Sequence, residues 1–81
     1  MSKTILLVDD DPRLVRLICR RLTRDGFRML TAGSGEEGLR LAAEQRPDLV
    51  LLDIVLPGLS GQEVCARLKT QPATHPIPVI F

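Results

Sequence analysis

Residues 49–58, Leu49-Val50-Leu51-Leu52-Asp53-Ile54-Val55-Leu56-Pro57-Gly58, join a short apolar run to an aspartate and a Pro-Gly loop. The apolar residues stand in a row instead of alternating with polar ones, which is typical of a strand buried on both faces of a parallel sheet. Residues 5–12, Ile5-Leu6-Leu7-Val8-Asp9-Asp10-Asp11-Pro12, repeat this arrangement near the N-terminus. Two buried strands that both end in acids therefore indicate the fold class.

Helical patterns separate the predicted strands. Pro12 suits the first turn of a helix, and apolar residues recur at helical spacing until Asp25-Gly26, a common stop signal. Ser34 and Ser60 each precede a glutamate by three residues, which is the capping-box pattern of a helix start. Arg46-Pro47 ends the second helix, because the residue before proline disfavours helical backbone.

The strands predicted from these patterns alternate with three helices. They are Thr4–Val8, Phe27–Thr31, Leu49–Leu52 and Ile77–Phe81. The order strand, helix, strand, helix, strand, helix, strand favours an α/β fold with a parallel sheet, right-handed crossovers and helices on both faces.

Composition places the chain among ordinary globular domains. With 81 residues, 44% of them hydrophobic and 26% charged, it is one domain, and its net charge of +1 gives no overall attraction to nucleic acid or an anionic membrane. The longest apolar runs, Ile5–Val8 and Leu49–Leu52, are far below the ~20 residues that cross a bilayer. Cys19 and Cys65 form no disulfide framework and have no metal-ligand spacing, so we expect two free thiols in a reducing cytoplasm.

Acids follow the first and third predicted strands. Sites in open parallel sheets form at the carboxyl ends of the strands. If the first and third strands are neighbours, their backbones lie ~4.8 Å apart, and Asp9, Asp10 and Asp53 would share one crevice. Like charges in that crevice repel, and Mg²⁺ relieves the repulsion. The alternative is that these acids simply cap the next helix or stay solvated, as acids after strands often do.

Two reactions suit three carboxylates and Mg²⁺. A carboxylate can attack a phosphoryl group and form an acyl phosphate, or the metal can activate a water for hydrolysis. A small Mg²⁺-dependent phosphatase is disfavoured, because the only histidine, His75, lies in a Pro-rich loop and no Gly-rich phosphate cradle is present.

The motifs of this chain resemble those of response-regulator receiver domains, the phosphoaccepting part of two-component signalling. Residues 5–12 resemble the opening of that family, and residues 48–58 resemble its phosphorylation segment. Ser60-Gly61 fits the start of its third helix, and Ile77–Phe81 resembles the start of its fourth strand. The resemblance implies a flavodoxin-like, doubly wound parallel sheet with strand order 2-1-3-4, and phosphorylation by a histidine kinase.

The resemblance also implies a role for each acid. Asp53 would be the phosphoacceptor, with no catalytic residue beyond it, and the chain would not be an enzyme. Asp10 would bind Mg²⁺ directly, Asp9 through water, and the backbone carbonyl of Val55 would be a further ligand. Asp11 would be a helix N-cap.

The chain departs from the family pattern at its end. Residues 1–81 match the N-terminal two-thirds of a receiver domain, without its last strand, its last two helices, its Ser or Thr and its active-site Lys, which neither Lys3 nor Lys69 matches in position. The fourth strand would then be an open edge, and only the first helix would cover one face of the sheet. Self-association would then be expected through the exposed fourth strand, since strand edges invite pairing with another chain, or through the uncovered sheet face. The alternative function is therefore a truncated or self-associating fragment that acts as a non-phosphorylated interaction module.

A cluster of arginines lies on the first predicted helix. The cluster suggests nucleic-acid binding, but a solvated helix face is favoured because the net charge is small and no aromatic residues interleave. Its members are Arg13, Arg16, Arg20, Arg21 and Arg24. We expect neither membrane binding nor direct nucleic-acid binding from this segment.

Overall fold

The computed structural model describes residues 2–81 as a four-stranded parallel sheet with three helices. Hydrogen-bonded neighbours follow the order β2-β1-β3-β4. The α/β fold predicted from the sequence patterns and the strand order 2-1-3-4 implied by the family resemblance are therefore confirmed. In chain order the elements are β1 (Thr4–Val8), α1 (Pro12–Arg24), β2 (Arg28–Ala32), α2 (Gly35–Gln45), β3 (Leu49–Leu52), α3 (Gly61–Thr70) and β4 (Val79–Ile80).

Side-chain caps begin all three helices. Asp11, Ser34 and Ser60 accept the backbone N–H groups of Arg13, Glu37 and Glu63. Each cap satisfies one of the N–H groups that the first turn of a helix leaves without a partner. The predicted helix starts, including the role of Asp11, are confirmed.

Strand β2 begins at Arg28, one residue later than the predicted Phe27–Thr31, and the end of α1 explains the shift. Gly26 has a φ of 97° and donates its N–H to the Thr23 carbonyl, and Phe27 donates to the Leu22 carbonyl. These two bonds are those of a Schellman motif. Phe27 therefore belongs to the helix end, and the prediction that it begins the strand is wrong.

Strand β4 is Val79–Ile80, shorter than the predicted Ile77–Phe81. Ile77 donates its N–H to the Thr74 carbonyl, which places it in the preceding turn. Pro78 has no N–H to donate, although its carbonyl accepts the Val50 N–H at 3.0 Å. The prediction of a five-residue strand is wrong: Ile77 belongs to the turn, Pro78 joins the ladder only through its carbonyl, and the strand ends at Ile80.

The two faces of the sheet are covered unequally. Leu6, Val8 and Val50 are fully buried in the core, which α2 and α3 supply with Ala42, Val64 and Leu68 among others. On the opposite face α1 has no buried residue, and Leu14 and Leu17 are exposed. An open groove on that face is lined partly by Leu7, Ile18, Leu51, Ile80 and Phe81.

The arginines of α1 are all exposed, as expected of a solvated helix face. One of them, Arg21, pairs with Asp25 at 3.3 Å.

Across residues 2–81 no helix is both long and apolar enough to span a bilayer.

Candidate phosphoacceptor and metal site

Backbone pairing beyond the ends of β1 and β3 places two aspartates side by side. The strands are in parallel register with Val8 opposite Leu52. Asp53 donates its N–H to the Val8 carbonyl at 2.9 Å, so the ladder continues one residue past β3. Asp9 donates its N–H to the Ala32 carbonyl of β2 at 3.0 Å. Each aspartate is thus held by a neighbouring strand.

Three carboxylates meet at this edge of the sheet. Asp9, Asp10 and Asp53, here called the acid trio, each offer an oxygen, and these oxygens lie within 4.8 Å of one another. Asp9 is buried, Asp53 is half-buried and Asp10 is exposed. The structure therefore brings together the three acids that the sequence predicted would share a crevice.

Two members of the acid trio are oriented by the backbone that follows them. Oδ1 of Asp9 accepts the Asp11 N–H at 2.9 Å, and Oδ1 of Asp53 accepts the Val55 N–H at 3.2 Å. Short bonds of this kind, from a residue to the N–H two positions later, are the usual turn geometry of aspartate. They orient each carboxylate through one oxygen.

Residues 53–60, here called the phosphoacceptor loop, connect β3 to α3. Val55 and Ile54 are 78% and 48% exposed, whereas Leu56 is buried in the core. Gly61 donates its N–H to the Ile54 carbonyl at 2.9 Å, and a Cβ on Gly61 would lie 2.8 Å from Cα of Ile54. Glycine at this position lets α3 begin directly against the backbone of the loop.

The donor set fits Mg²⁺. The acid trio offers oxygen ligands of the kind this hard cation prefers, at separations that a single ion can bridge. Three like charges this close raise one another's free energy, and a divalent cation lowers it. Val55, whose carbonyl was the predicted fourth ligand, lies two residues after Asp53 in the same loop.

Other charged residues that the sequence singled out serve different purposes. The Lys69 ammonium donates to the carbonyls of Ile77 at 2.6 Å and His75 at 3.3 Å, and so holds the loop before β4. His75 itself is exposed in that loop. Neither belongs to the acid trio.

Two residues with notable contacts in the structure, Glu36 and Thr74, were not predicted from the sequence. Glu36 accepts the Leu59 N–H of the phosphoacceptor loop across 23 positions of sequence, a separation at which no local pattern gives a signal. Thr74 is fully buried, and its hydroxyl donates to the Leu68 carbonyl at 2.6 Å. A threonine among prolines resembles any loop residue, so its burial could not be read from the sequence.

Comparisons with known proteins identify the fold and its family. A family model described as the response regulator receiver domain matches residues 5–81. The chain is 47% identical over 78 residues to the transcriptional regulatory protein AfsQ1 of Streptomyces coelicolor, covering 96% of this chain and 33% of that protein. The chain thus spans about a third of the length of this curated relative.

Solved structures give the same result. The N-terminal domain of a response regulator receiver protein from Methanoculleus marisnigri superposes with a TM-score of 0.93 at 48% identity, covering 98% of this chain and 64% of that one. The receiver domain of sensor histidine kinase PA1611 from Pseudomonas aeruginosa, solved with a magnesium ion in its active site cleft, gives 0.92 at 30% identity, with 98% and 65% covered. The expected flavodoxin-like fold is confirmed. The chain belongs to the response regulator receiver domain family.

Proposed function

We propose that this chain accepts a phosphoryl group on Asp53 from a histidine kinase and does so with Mg²⁺ bound. The observation that carries the proposal is the position of the Asp53 carboxylate, at a strand end and beside two further carboxylates. Membership of the receiver family supports the phosphoacceptor role. The PA1611 receiver domain, with its magnesium ion, supports the metal.

The geometry suggests which oxygen reacts. Oδ1 of Asp53 is engaged by the Val55 N–H, so Oδ2 is the oxygen free to attack phosphorus. An O–P bond forms at Asp53 as the P–N bond to the kinase histidine breaks, and the bonding electron pair returns to the imidazole nitrogen. Asp53 is consumed in each transfer, so we propose that the chain is a substrate of the kinase and not an enzyme.

Mg²⁺ would be held by Asp9, Asp10, Asp53 and the Val55 carbonyl, with Asp9 acting through water. Without a cation, an anionic phosphoryl group would approach three carboxylates, and the repulsion would oppose transfer. When bound, the ion supplies positive charge that offsets both the carboxylates and the phosphoryl oxygens. We also propose a cytoplasmic location for the chain, which the two free cysteines support.

Intact-mass measurement after incubation with acetyl phosphate and Mg²⁺ tests this function. The chain should gain one phosphoryl group, and Asp53→Asn should gain none. Asp11→Asn is the matched control, because Asp11 is a neighbouring acid that caps α1, and asparagine caps a helix equally well. No gain in a wild-type chain that is folded by circular dichroism would contradict the proposal.

The second candidate is the self-associating interaction module. The specific observation in its favour is the open groove beside α1, where Ile80 and Phe81 are more than half exposed. The family match favours the phosphoacceptor function instead. Sedimentation velocity over a range of concentrations separates the two: a monomer throughout would contradict the module.

The predicted domain boundary, with residues 1–81 as the N-terminal two-thirds of a receiver domain, stays a prediction.

A further inference from the structure

The turn in the phosphoacceptor loop is closed by a side chain from another helix. Residues Leu56-Pro57-Gly58-Leu59 have proline second and glycine third, and Gly58 has a φ of 74°, as a type II turn requires. In a closed turn of this type the fourth N–H donates to the first carbonyl. Here the Leu59 N–H donates to Oε1 of Glu36, at 3.3 Å.

The N-terminus of α2 fits closely against the same turn. A Cβ on Gly58 would lie 3.2 and 3.3 Å from the two carboxylate oxygens of Glu36. A Cβ on Gly35 would lie 3.1 Å from Cβ of Leu59 and 2.6 Å from Cγ2 of Val64. The Glu36 carboxylate therefore lies against two successive residues of the turn, and the glycine before it allows the helix to approach.

The exposed part of the loop depends on such anchors. The side chains of Ile54 and Val55 are largely exposed, so packing does not hold them. Hydrogen bonds at Asp53 and Gly61 and the buried Leu56 hold the first part of the loop. Among residues 2–81, Glu36 alone lies outside both the loop and α3 and has a side chain that hydrogen-bonds to the loop.

We propose that Glu36 is a positioning residue for Mg²⁺ binding: it closes the turn at Leu59 and thereby restricts the backbone of the loop that carries Val55, the proposed carbonyl ligand. This inference rests on the proposed function. Groups that orient a metal ligand without touching the metal contribute strongly to affinity, because a free ligand must be ordered when the metal binds. Glu36 would act through the backbone of the loop and not through its charge.

The adjacent Glu37 is a natural control. It lies in the same first turn of α2 and carries the same charge, and its backbone N–H is capped by Ser34. Among the described residues its side chain makes no hydrogen bond, in contrast to that of Glu36. Substitutions at the two positions therefore remove equal charge and differ in the contact with the loop.

Titration of the ¹⁵N-labelled chain with Mg²⁺, followed by amide resonances, tests the proposal. Glu36→Ala should weaken Mg²⁺ binding about tenfold and speed hydrogen exchange at the Leu59 amide, whereas Glu37→Ala should change neither. Glu36→Gln should recover most of the affinity, because its amide oxygen still accepts the Leu59 N–H. The free energies of unfolding of the two alanine variants should be alike, which separates positioning from general destabilisation.

Each contrary result has a distinct meaning. Wild-type affinity in Glu36→Ala would overturn the positioning role and leave the proposed function intact. Equal weakening by Glu36→Gln and Glu36→Ala, or by Glu37→Ala, would also overturn it, because charge alone would then explain the effect. No Mg²⁺ binding by the wild-type chain would overturn the proposed function and this inference with it.

Discussion

The carbonyl oxygen of Asp53 lies so close to Gly61 that a β-carbon on Gly61 would collide with it. The start of α3 is therefore in direct contact with the backbone of the proposed phosphoacceptor. Because Gly61 also donates its N–H to the Ile54 carbonyl, the contact fixes the first two residues of the phosphoacceptor loop. The position of Asp53 thus depends on the absence of a side chain eight residues later.

Gly61→Ala should destabilise the chain by about 1–3 kcal/mol, the usual cost of overpacking, even though alanine favours a helix. The obstacle is backbone at Asp53 and Ile54, which cannot move aside as a flexible side chain can. Urea unfolding followed by circular dichroism measures the change. Gly33→Ala is the control, since nothing lies within 4 Å of its Cβ. Equal stabilities for the two variants would contradict the contact.

Asp10→Asn should raise the stability of the metal-free chain by about 1 kcal/mol, because it removes one of three mutually repelling charges from an exposed position. The same variant should lose most of the stabilisation that added Mg²⁺ gives the wild-type chain, since a ligand stabilises the state that binds it. Thermal unfolding with and without Mg²⁺ measures both effects. An undiminished response to Mg²⁺ in Asp10→Asn would remove Asp10 from the metal site.

The acid trio was predictable because two rules and the strand order implied by the family resemblance place it together. The runs before Asp9 and Asp53 are apolar without alternation, parallel strands end at the same edge of a sheet, and the implied order makes these two strands neighbours. The helix starts at Asp11, Ser34 and Ser60 were equally accessible, because a cap and its partner N–H lie within three residues of each other. Local sequence is sufficient for the helix starts, whereas the acid trio also needs the order of the strands.

Features that depend on distant parts of the chain were not predictable. The helical pattern of α1 gave Leu14 and Leu17 the same weight as Ile18, yet their burial depends on what covers that face of the sheet. The contact of Glu36 with Leu59 spans 23 residues and needs the packing of α2 on α3. The predicted starts of β2 at Phe27 and of β4 at Ile77 were one and two residues too early, because the N–H groups of both residues are hydrogen-bonded in turns.

Thr74→Val should lower the free energy of unfolding by about 1–2 kcal/mol. The isosteric change removes the hydroxyl whose hydrogen bond the Leu68 carbonyl accepts in a buried position. Thr70→Val is the matched control: its hydroxyl donates to the Arg67 carbonyl at 2.8 Å, but in an exposed position where water can replace it. Urea unfolding of both variants gives the comparison. A larger loss in Thr70→Val would contradict the assigned burial.

Burial raises the pKa of the Cys19 thiol above its usual 9.0. The folded chain therefore keeps this proton at a pH where the unfolded chain has lost it, and folding stability should fall as pH rises through 9.0 toward the folded pKa. The difference in unfolding free energy between wild type and Cys19→Ser should shift across that range in the direction of a less stable wild type. A difference that is independent of pH would contradict the raised pKa.

Because α1 has no buried residue, we expect it to be the first element of the chain to unfold locally. A helix with no buried residue is held by little apolar contact, and such elements open at lower free energy than the rest of a domain. Opening of α1 would release the Asp11 cap and loosen the segment that carries Asp10, while Asp9 stays bonded to the Ala32 carbonyl and β1, β3 and their core remain assembled. The acid trio would therefore lose its arrangement when α1 opens locally, under conditions in which the sheet is still folded.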